Sequence, residues 1–402
     1  MSERPWLTLV GIGENGASGL SAESRHALAR AEVVMAPPRH LSLLGRAQTQ
    51  ATQTIEWPTP FADGIPALLA LRGRSVVVLA SGCPFWFGAG TVLAEHLKPE
   101  EWCCHPAPST FSLAASRLGW SLQETPCLGL HASSLARLRP HATVGRRALV
   151  LLRGPSAANE LLCWLRTAGF HLSQVTFLEA LGGPRERIRS LTADAVAPND
   201  LSAPLAAAIQ FEGTGPGLPL ATGIPDPFFE HDGQITKSPM RALTLSALAP
   251  LPGEHLWDLG AGAGSIAIEW LLQDPSLSAS AVERDLARSV RISENAARLG
   301  VDRLNVVHGQ SLDCLPTLRR PDAVFIGGGA SDSLIEAVLA VLRPGARLVV
   351  NAVTLETQAL VQSWRRRVGG ELLRVAFSRP SAVGSHEVWR DTFPVLQWLT
   401  HP

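Results

Sequence analysis

The chain has no tyrosine, and only two of its 35 Lys and Arg residues, Lys98 and Lys237, are lysines. A lysine that persists against such a bias is a candidate for specific chemistry. Its six cysteines form no CxxC pair, and no histidine cluster has zinc-ligand spacing. This excludes a zinc ribbon or a paired-cysteine redox site and implies free thiols in a reducing compartment, with no metal. Charge of one sign is lacking too. The 35 acidic residues balance the basic ones to a formal net charge of zero, which argues against a strongly basic nucleic-acid binder. No apolar run reaches the ~18 residues that cross a bilayer, and "MSERPWLTLVGIG" lacks the pattern of a signal peptide. We expect a soluble cytoplasmic protein with neither nucleic acid nor membrane as partner.

What is present is a globular composition, 46% apolar and 17% charged, over 402 residues. That length predicts two domains. Strand and helix signals alternate through the first half. "WLTLVGIG" (6–13), "SVVVLASG" (75–82), "RALVLLRG" (147–154) and "APLAAAIQF" (203–211) read as strands, and "SAESRHALARAEVVMA" (21–36) reads as a helix opened by a capping box at Ser21. The segment 213–234 is dense in Gly and Pro and has no period, which predicts a linker between domains 1–212 and 235–402. Beyond it, "SPMRALTLSALAP" predicts a helix with Ser238 as N-cap and Pro239 at its first position. A βαβα series then predicts a parallel sheet covered by helices.

The chemistry concentrates at "DLGAGAG", residues 258–264. A strand that ends in a glycine turn and opens a helix is built for a ligand. Glycine lets the backbone approach, and free N–H groups at the helix start face it. Glu283 stands about twenty residues on, where a carboxylate can accept from a ribose diol. Three readings compete. Gly262 to Ala267 fits the dinucleotide form GxGxxA, which would make the chain an NAD-linked oxidoreductase. Asp258 before Gly260, Gly262 and Gly264 fits the S-adenosylmethionine (SAM) turn of class I methyltransferases, because an acidic residue suits an ammonium and repels a diphosphate. A purely structural turn is the third. The strand "DAVFIGGGAS" (322–331) carries none of the prolines that nucleobase N-methyltransferases place there. Gly327, Gly328 and Gly329 instead leave an open floor for a large flat acceptor.

Longer stretches carry a resemblance. "ITKSPMRALTLSALAPLPGEHLWDLGAGAGSIAIEW", "HGQSLDCLPTLRRPDAVFIGGG" and "LRPGARLVVNAVTLET" resemble the C-terminal half of the precorrin-6Y C5,15-methyltransferases (decarboxylating) of cobalamin biosynthesis. "VGIGENG" (10–16), "ASGCPFWFGAG" (80–90), "PAPSTFSLAASRLGW" (106–120), "LGLHA" (128–132) and "LEALGGPRERI" (178–188) resemble the tetrapyrrole methylases. The resemblance implies an α/β fold throughout: a tetrapyrrole methylase of two α/β subdomains, then a Rossmann-like class I SAM methyltransferase. It implies C5 methylation by the first domain, and C15 methylation with loss of CO2 from the C12 acetate by the second. A tetrapyrrole substrate, two SAM sites per chain and a homo-oligomer follow.

Residue by residue, the resemblance places Gly260, Gly262 and Gly264 at the methionine end of SAM, Glu283 at the ribose, and Gln310 and Ser311 near the adenine, where many relatives have Asp at the Gln310 position. Thr236 matches a cofactor contact or a helix cap. Lys237 and Arg241 are candidates for gripping substrate carboxylates, or for surface ion pairs. Glu269 is either a carboxylate behind the turn or a solvent-facing helix residue. The run "WRRRVGG" (364–370) reads as a solvated helix end. In the first domain Gly11, Gly13 and Gly16 match a glycine loop, and Ser109 and Thr110 match a cofactor contact or a loop cap. Gly82, Cys83 and Pro84 stand where the family has Gly-Asp-Pro, so Cys83 removes a carboxylate. His131 and Glu179 are further pocket candidates, and Trp86 and Phe87 are expected in a core or pocket wall. The Cys83 departure leaves open a chain in which only the C-terminal half is catalytic and the first half is a binding module. A different methyl acceptor is a further alternative.

Overall fold

Apolar strands run straight into glycine-containing turns in both halves of the computed structural model, which describes residues 5–45 and 51–401. The chain divides into two units. Unit 1 runs up to Ser133 and resumes over His141–Pro216, and unit 2 holds Ser134–Pro140 and the chain from Gly217 onward. Among the described residues, no helix is long and apolar enough to cross a membrane.

Unit 1 has two five-stranded sheets. The first is built from β1 (Leu7–Ile12), α1 (Ala22–Arg30), β2 (Val33–Ala36), α2 (Pro38–Leu44), β3 (Gln53–Glu56), α3 (Gly64–Leu69), β4 (Val76–Ser81), α4 (Ala89–Ala94) and β5 (Trp102–His105). Its order is β3-β2-β4-β1-β5 and its neighbours are parallel. Period-two alternation fills both faces: Leu7, Leu9, Val33 and Val76 pack on one side, Val10, Ile12, Val34 and Val77 on the other. Such two-faced burial is why these strands read as continuous apolar runs. The second sheet follows α5 (Thr110–Leu118) and comprises β6 (Cys127–Gly129), β7 (Arg147–Leu152), β8 (Gln174–Glu179), β9 (Arg187–Thr192) and β10 (Leu205–Gln210), with α6 (Ser156–Thr167) between β7 and β8.

Two local expectations need correction here. The helix predicted over 21–36 ends at Arg30, and its last residues, VVMA, form β2, fully buried between β3 and β4. Ser21 does cap α1, accepting from the Ser24 N–H at 3.1 Å. The Gly/Pro-rich stretch from 217 to 234 packs into unit 2, with Ile224 and Phe229 each 3% exposed in its core.

Unit 2 contains α7 (Ser238–Leu248), β11 (His255–Leu259), α8 (Ser265–Gln273), β12 (Ser278–Glu283), α9 (Leu286–Arg298), β13 (Asn305–His308), α10 (Ser311–Cys314), β14 (Ala323–Ile326), α11 (Asp332–Val341), β15 (Arg347–Ala352), α12 (Leu355–Val368) and β16 (Glu371–Val375). A hairpin of β17 (Ser378–Val383) and β18 (His386–Asp391) and a last strand β19 (Val395–Thr400) complete it. The sheet order is β13-β12-β11-β14-β15-β19-β16, parallel up to β15 and antiparallel at β19 and β16. Strand order reverses at β11, so a crevice opens at the carboxyl ends of β11 and β14, the expected ligand position in an open α/β sheet.

The start of α7 differs from the expectation. Lys237 is the N-cap, without a side-chain bond, and Ser238 and Pro239 are the first two helical residues. Asp226 accepts the Ser238 N–H at 3.0 Å, and the Ser238 hydroxyl donates to the Gly223 carbonyl at 2.7 Å. A cap supplied from twelve residues away leaves Ser238 free for that second task.

Candidate active site

A cavity of about 1500 Å³ occupies the crevice. Gly260 and Gly262 after β11, Glu283 at the end of β12, Gln310 and Ser311 at the start of α10, Gly327 after β14, and Thr236 and Lys237 before α7 all line it. The sequence-predicted residues of this half thus converge, apart from Gly264, which is buried behind the turn, and three charged residues.

The turn itself depends on glycine. Gly260 has φ +73°, and a Cβ there would stand 2.5 Å from the Gly328 carbonyl oxygen. Gly264 has φ +75°, and a Cβ would meet Ile292 at 2.7 Å. Any side chain would be strained by the left-handed backbone and would force neighbours apart. The Gly260 and Ala261 N–H groups donate to the Val282 carbonyl at 3.0 and 3.1 Å, tying the turn to β12. Glu283 is 5% exposed and accepts from the Gly262 N–H at 2.9 Å and the Asp285 N–H at 3.0 Å. Its carboxylate is therefore fixed at the cavity wall.

Asp258 is the first exception. It lies on the face of β11 that packs on α8, is 1% exposed, and accepts from the Ala267 N–H at 3.1 Å. Its other oxygen, Oδ1, has no partner among the described residues. Burial pushes its pKa up to about 7 against the Ala267 bond, with the neighbouring charge of Glu283 adding to the rise. The acidic residue of the motif pins the helix behind the turn and does not meet an ammonium in the cavity.

Arg241 and Glu269 are the other two. Neither is surface-exposed nor lines the cavity: both side chains are fully buried and paired, Arg241 Nε donating to Glu269 Oε1 at 2.5 Å. The guanidinium also donates to the carbonyls of Thr236 and Ile224 and to Asp226, and lies over the Phe229 ring. Glu269 accepts from the Gly223 and Ile224 N–H groups at 2.7 and 3.0 Å. Burial raises the Glu269 pKa in spite of Arg241. The pair fastens the segment 223–241 to α8 and so fixes Thr236 and Lys237 at the cavity lip. They are positioning residues.

The sequence reading missed a whole wall of the cavity. Phe377, Arg379, Arg390, Asp391, Thr392 and Phe393, from the β17–β18 hairpin and its flanks, line it. The signal was a Gly384-Ser385 turn between two short runs, diluted by arginines and a proline. The run at 364–370 behaves as expected: Arg365, Arg366 and Arg367 close α12, and Arg367 covers the Trp364 ring.

In unit 1 the loops after β1, β4 and β5 meet. A Cβ on Gly11 would stand 2.0 Å from the Gly82 carbonyl oxygen and 2.5 Å from the Ala107 nitrogen. Gly82 donates to the Ile12 carbonyl and accepts from the Ala107 N–H. Cys83 is a half-buried free thiol beside this junction. Ser109 caps α5, accepting from the Ser112 N–H at 3.1 Å, and Thr110 is the first helical residue. His131 is exposed. Glu179 is fully buried among Arg187, Arg189 and Ser202; burial alone would raise its acidity range, but these partners bring it below the ordinary value. Trp86 and Phe87 pack on Phe111 yet stay 37% and 50% exposed, as a wall would.

Comparison with known proteins follows the same division. Residues 6–197 match the family described as Tetrapyrrole (Corrin/Porphyrin) Methylases, and residues 227–401 match the Precorrin methyltransferase domain. A Sinorhizobium sp precorrin-6Y C(5,15)-methyltransferase [decarboxylating] is 44% identical over 98% of this chain and 96% of its own. A Salmonella typhi cobalt-precorrin-6B C(15)-methyltransferase (decarboxylating) is 38% identical over 40% of this chain and 86% of its own. The crystal structure of the C-terminal domain of precorrin-6Y C5,15-methyltransferase from Rhodobacter capsulatus is 42% identical, covering 46% of this chain and 100% of that one at a TM-score of 0.45. With a match of this identity running the length of both chains, the protein belongs to the precorrin-6Y C5,15-methyltransferase (decarboxylating) family.

Proposed function

We propose that the chain methylates precorrin-6Y at C5 and C15 and releases the C12 acetate carboxyl as CO2, giving precorrin-8X. The observation that carries this reading is the end-to-end relation to proteins bearing that name. Methyltransferases of this family use SAM. The glycine cradle fits it: Gly260 and Gly262 admit backbone contact, Gly264 turns the chain into α8 behind them, Glu283 takes the ribose, Gln310 and Ser311 border the adenine, and Gly327 and Thr236 complete the floor and lip. A cavity of about 1500 Å³ exceeds the ~300–1,000 Å³ of a single small-molecule site, which supports cofactor and macrocycle side by side. The family assignment leaves the dinucleotide reading without support.

Bound SAM supplies an electrophilic methyl group. The reduced macrocycle is enamine-like at its meso carbons and supplies the nucleophile, so the protein orients it and excludes water. For decarboxylation the C–CO2 bond is held perpendicular to the ring, whose conjugated imine takes the electron pair. Lys237, exposed at the lip, meets a substrate carboxylate there. We assign C15 methylation and CO2 loss to the domain after residue 235 and C5 methylation to the domain 1–212, whose own SAM site uses Gly82, Cys83, Ser109 and Thr110. The name of the Salmonella typhi protein supports separability, since a C15-methylating decarboxylase matches only 40% of this chain.

Cys83 supports a second reading, in which the first unit only binds substrate. Product mass separates the two. Anaerobic incubation with precorrin-6Y and excess SAM is expected to add two methyl groups and remove one CO2. A single methyl gain with CO2 loss would establish the second reading, and an unchanged pigment would overturn both.

A further inference from the structure

Arg379 on β17 and Arg390 on β18 are direct cross-strand partners, and both line the cavity. Directly opposed residues of an antiparallel pair share a face, with Cβ atoms roughly 4.5–5.5 Å apart, and like charges placed so repel. Neither guanidinium has an ion pair or a side-chain hydrogen bond among the described residues. Arg288, on the same cavity, is by contrast already taken by Asp232 at 2.8 Å. The acid next to the pair, Asp391, accepts from the Ser378 hydroxyl. Phe377 and Phe393 flank the hairpin and also line the cavity, Phe393 at 85% exposure. Two unneutralised guanidiniums on one face, beside apolar rings open to solvent, describe a surface whose complement is a flat, polycarboxylated molecule.

We infer that Arg379 and Arg390 grip peripheral carboxylates of the macrocycle that survive the reaction, with Phe377 and Phe393 against its plane. The inference rests on the function proposed above. The carboxylate that leaves is excluded by energetics. Two guanidiniums stabilise a carboxylate as the anion, which deepens the ground state and raises the barrier to its departure as neutral CO2. A retained carboxylate held there gives uniform binding, expressed in KM and not in kcat.

The test uses the full chain with precorrin-6Y under anaerobic conditions, saturating SAM and CO2 release as the readout. Arg379→Gln and Arg390→Gln are each expected to raise KM about tenfold or more, the value of one charge-assisted hydrogen bond, with kcat within about twofold of the unaltered chain. Arg379→Lys with Arg390→Lys should restore part of the loss, since charge remains but the fork geometry does not. The Kd for S-adenosylhomocysteine should stay unchanged, showing the fold and cofactor turn intact. An unchanged KM in the double Gln variant overturns the inference, as does a fall in kcat alone. If the unaltered chain neither binds nor turns over precorrin-6Y, the proposed function fails first; if it turns over and the variants match it, only the arginine assignment fails.

Discussion

The carboxyl group of Asp258 is buried, keeps one hydrogen bond and leaves one oxygen without a partner among the described residues. Its unfolded value is near 3.8 and its folded one about 7. Between those limits the folded chain holds a proton that the unfolded chain has released. The stabilising contribution is complete below the unfolded value and is lost as pH rises through the folded one. Ligand-free stability to urea should therefore decline from pH 5 to pH 8 more steeply in the natural chain than in Asp258→Asn, which keeps an acceptor for Ala267. Parallel profiles would refute this. Arg241 and Glu269 make the complementary case. Removing one partner of a buried pair leaves an uncompensated charge, at a cost of about 3–5 kcal/mol. Arg241→Met should lose stability on that scale in urea unfolding, and Arg241→Met with Glu269→Leu should lose less than the two single changes summed. The acidic residue before the glycines was legible as a motif, but the direction of its carboxylate was not. Alternation along β11 sets that direction: Leu256 faces the α8 side with Asp258, while Trp257 and Leu259 face the other. Arg241 and Glu269 are 28 residues apart, and nothing in the chain between them announces that they meet.

At the scale of elements, the parallel strands were readable because they are buried on both faces and end in glycine. The strand β2 was not, because Ala31 and Glu32 carry helix propensity past the true end of α1 and only the following VVMA marks the change. The strands β16, β17 and β18 were not assigned at all, since exposed strands with arginine, proline and histidine lack both the apolar run and a clean alternation; β19, buried between β15 and β16, was not assigned either, its short run being interrupted by Gln397. The turn between β11 and α8 was legible in full, and it gives a sharp expectation. Gly260→Ala places a methyl group 2.5 Å from a backbone oxygen, which no side-chain rotation relieves. Calorimetry should find S-adenosylhomocysteine binding to unit 2 weakened at least about tenfold, as a misplaced backbone contact implies. An unaltered Kd would show that the cofactor does not lie against this turn.

For the whole molecule the decisive quantity is a stoichiometry. Two methyltransferase units in one chain should bind two molecules of S-adenosylhomocysteine, and Gly260→Ala should leave one. A single site in the natural chain that disappears in Gly260→Ala would mean that the first unit no longer holds cofactor and that Cys83 is the mark of that loss. Cys83→Asp, which restores the family's carboxylate, would then be expected to bring the second site back.

The hairpin β17–β18 hangs between β16 and β19, outside the main sheet's ladder. The cavity's two walls therefore rest on separate hydrogen-bonded ladders. One wall comes from the carboxyl ends of parallel strands and cannot change without unmaking the nucleotide turn. The other is a separate two-stranded hairpin whose exchange leaves the β15·β19 and β16·β19 pairings in place. If the hairpin grips the macrocycle as inferred above, grafting a different hairpin is expected to change acceptor affinity while the methyl donor stays the same.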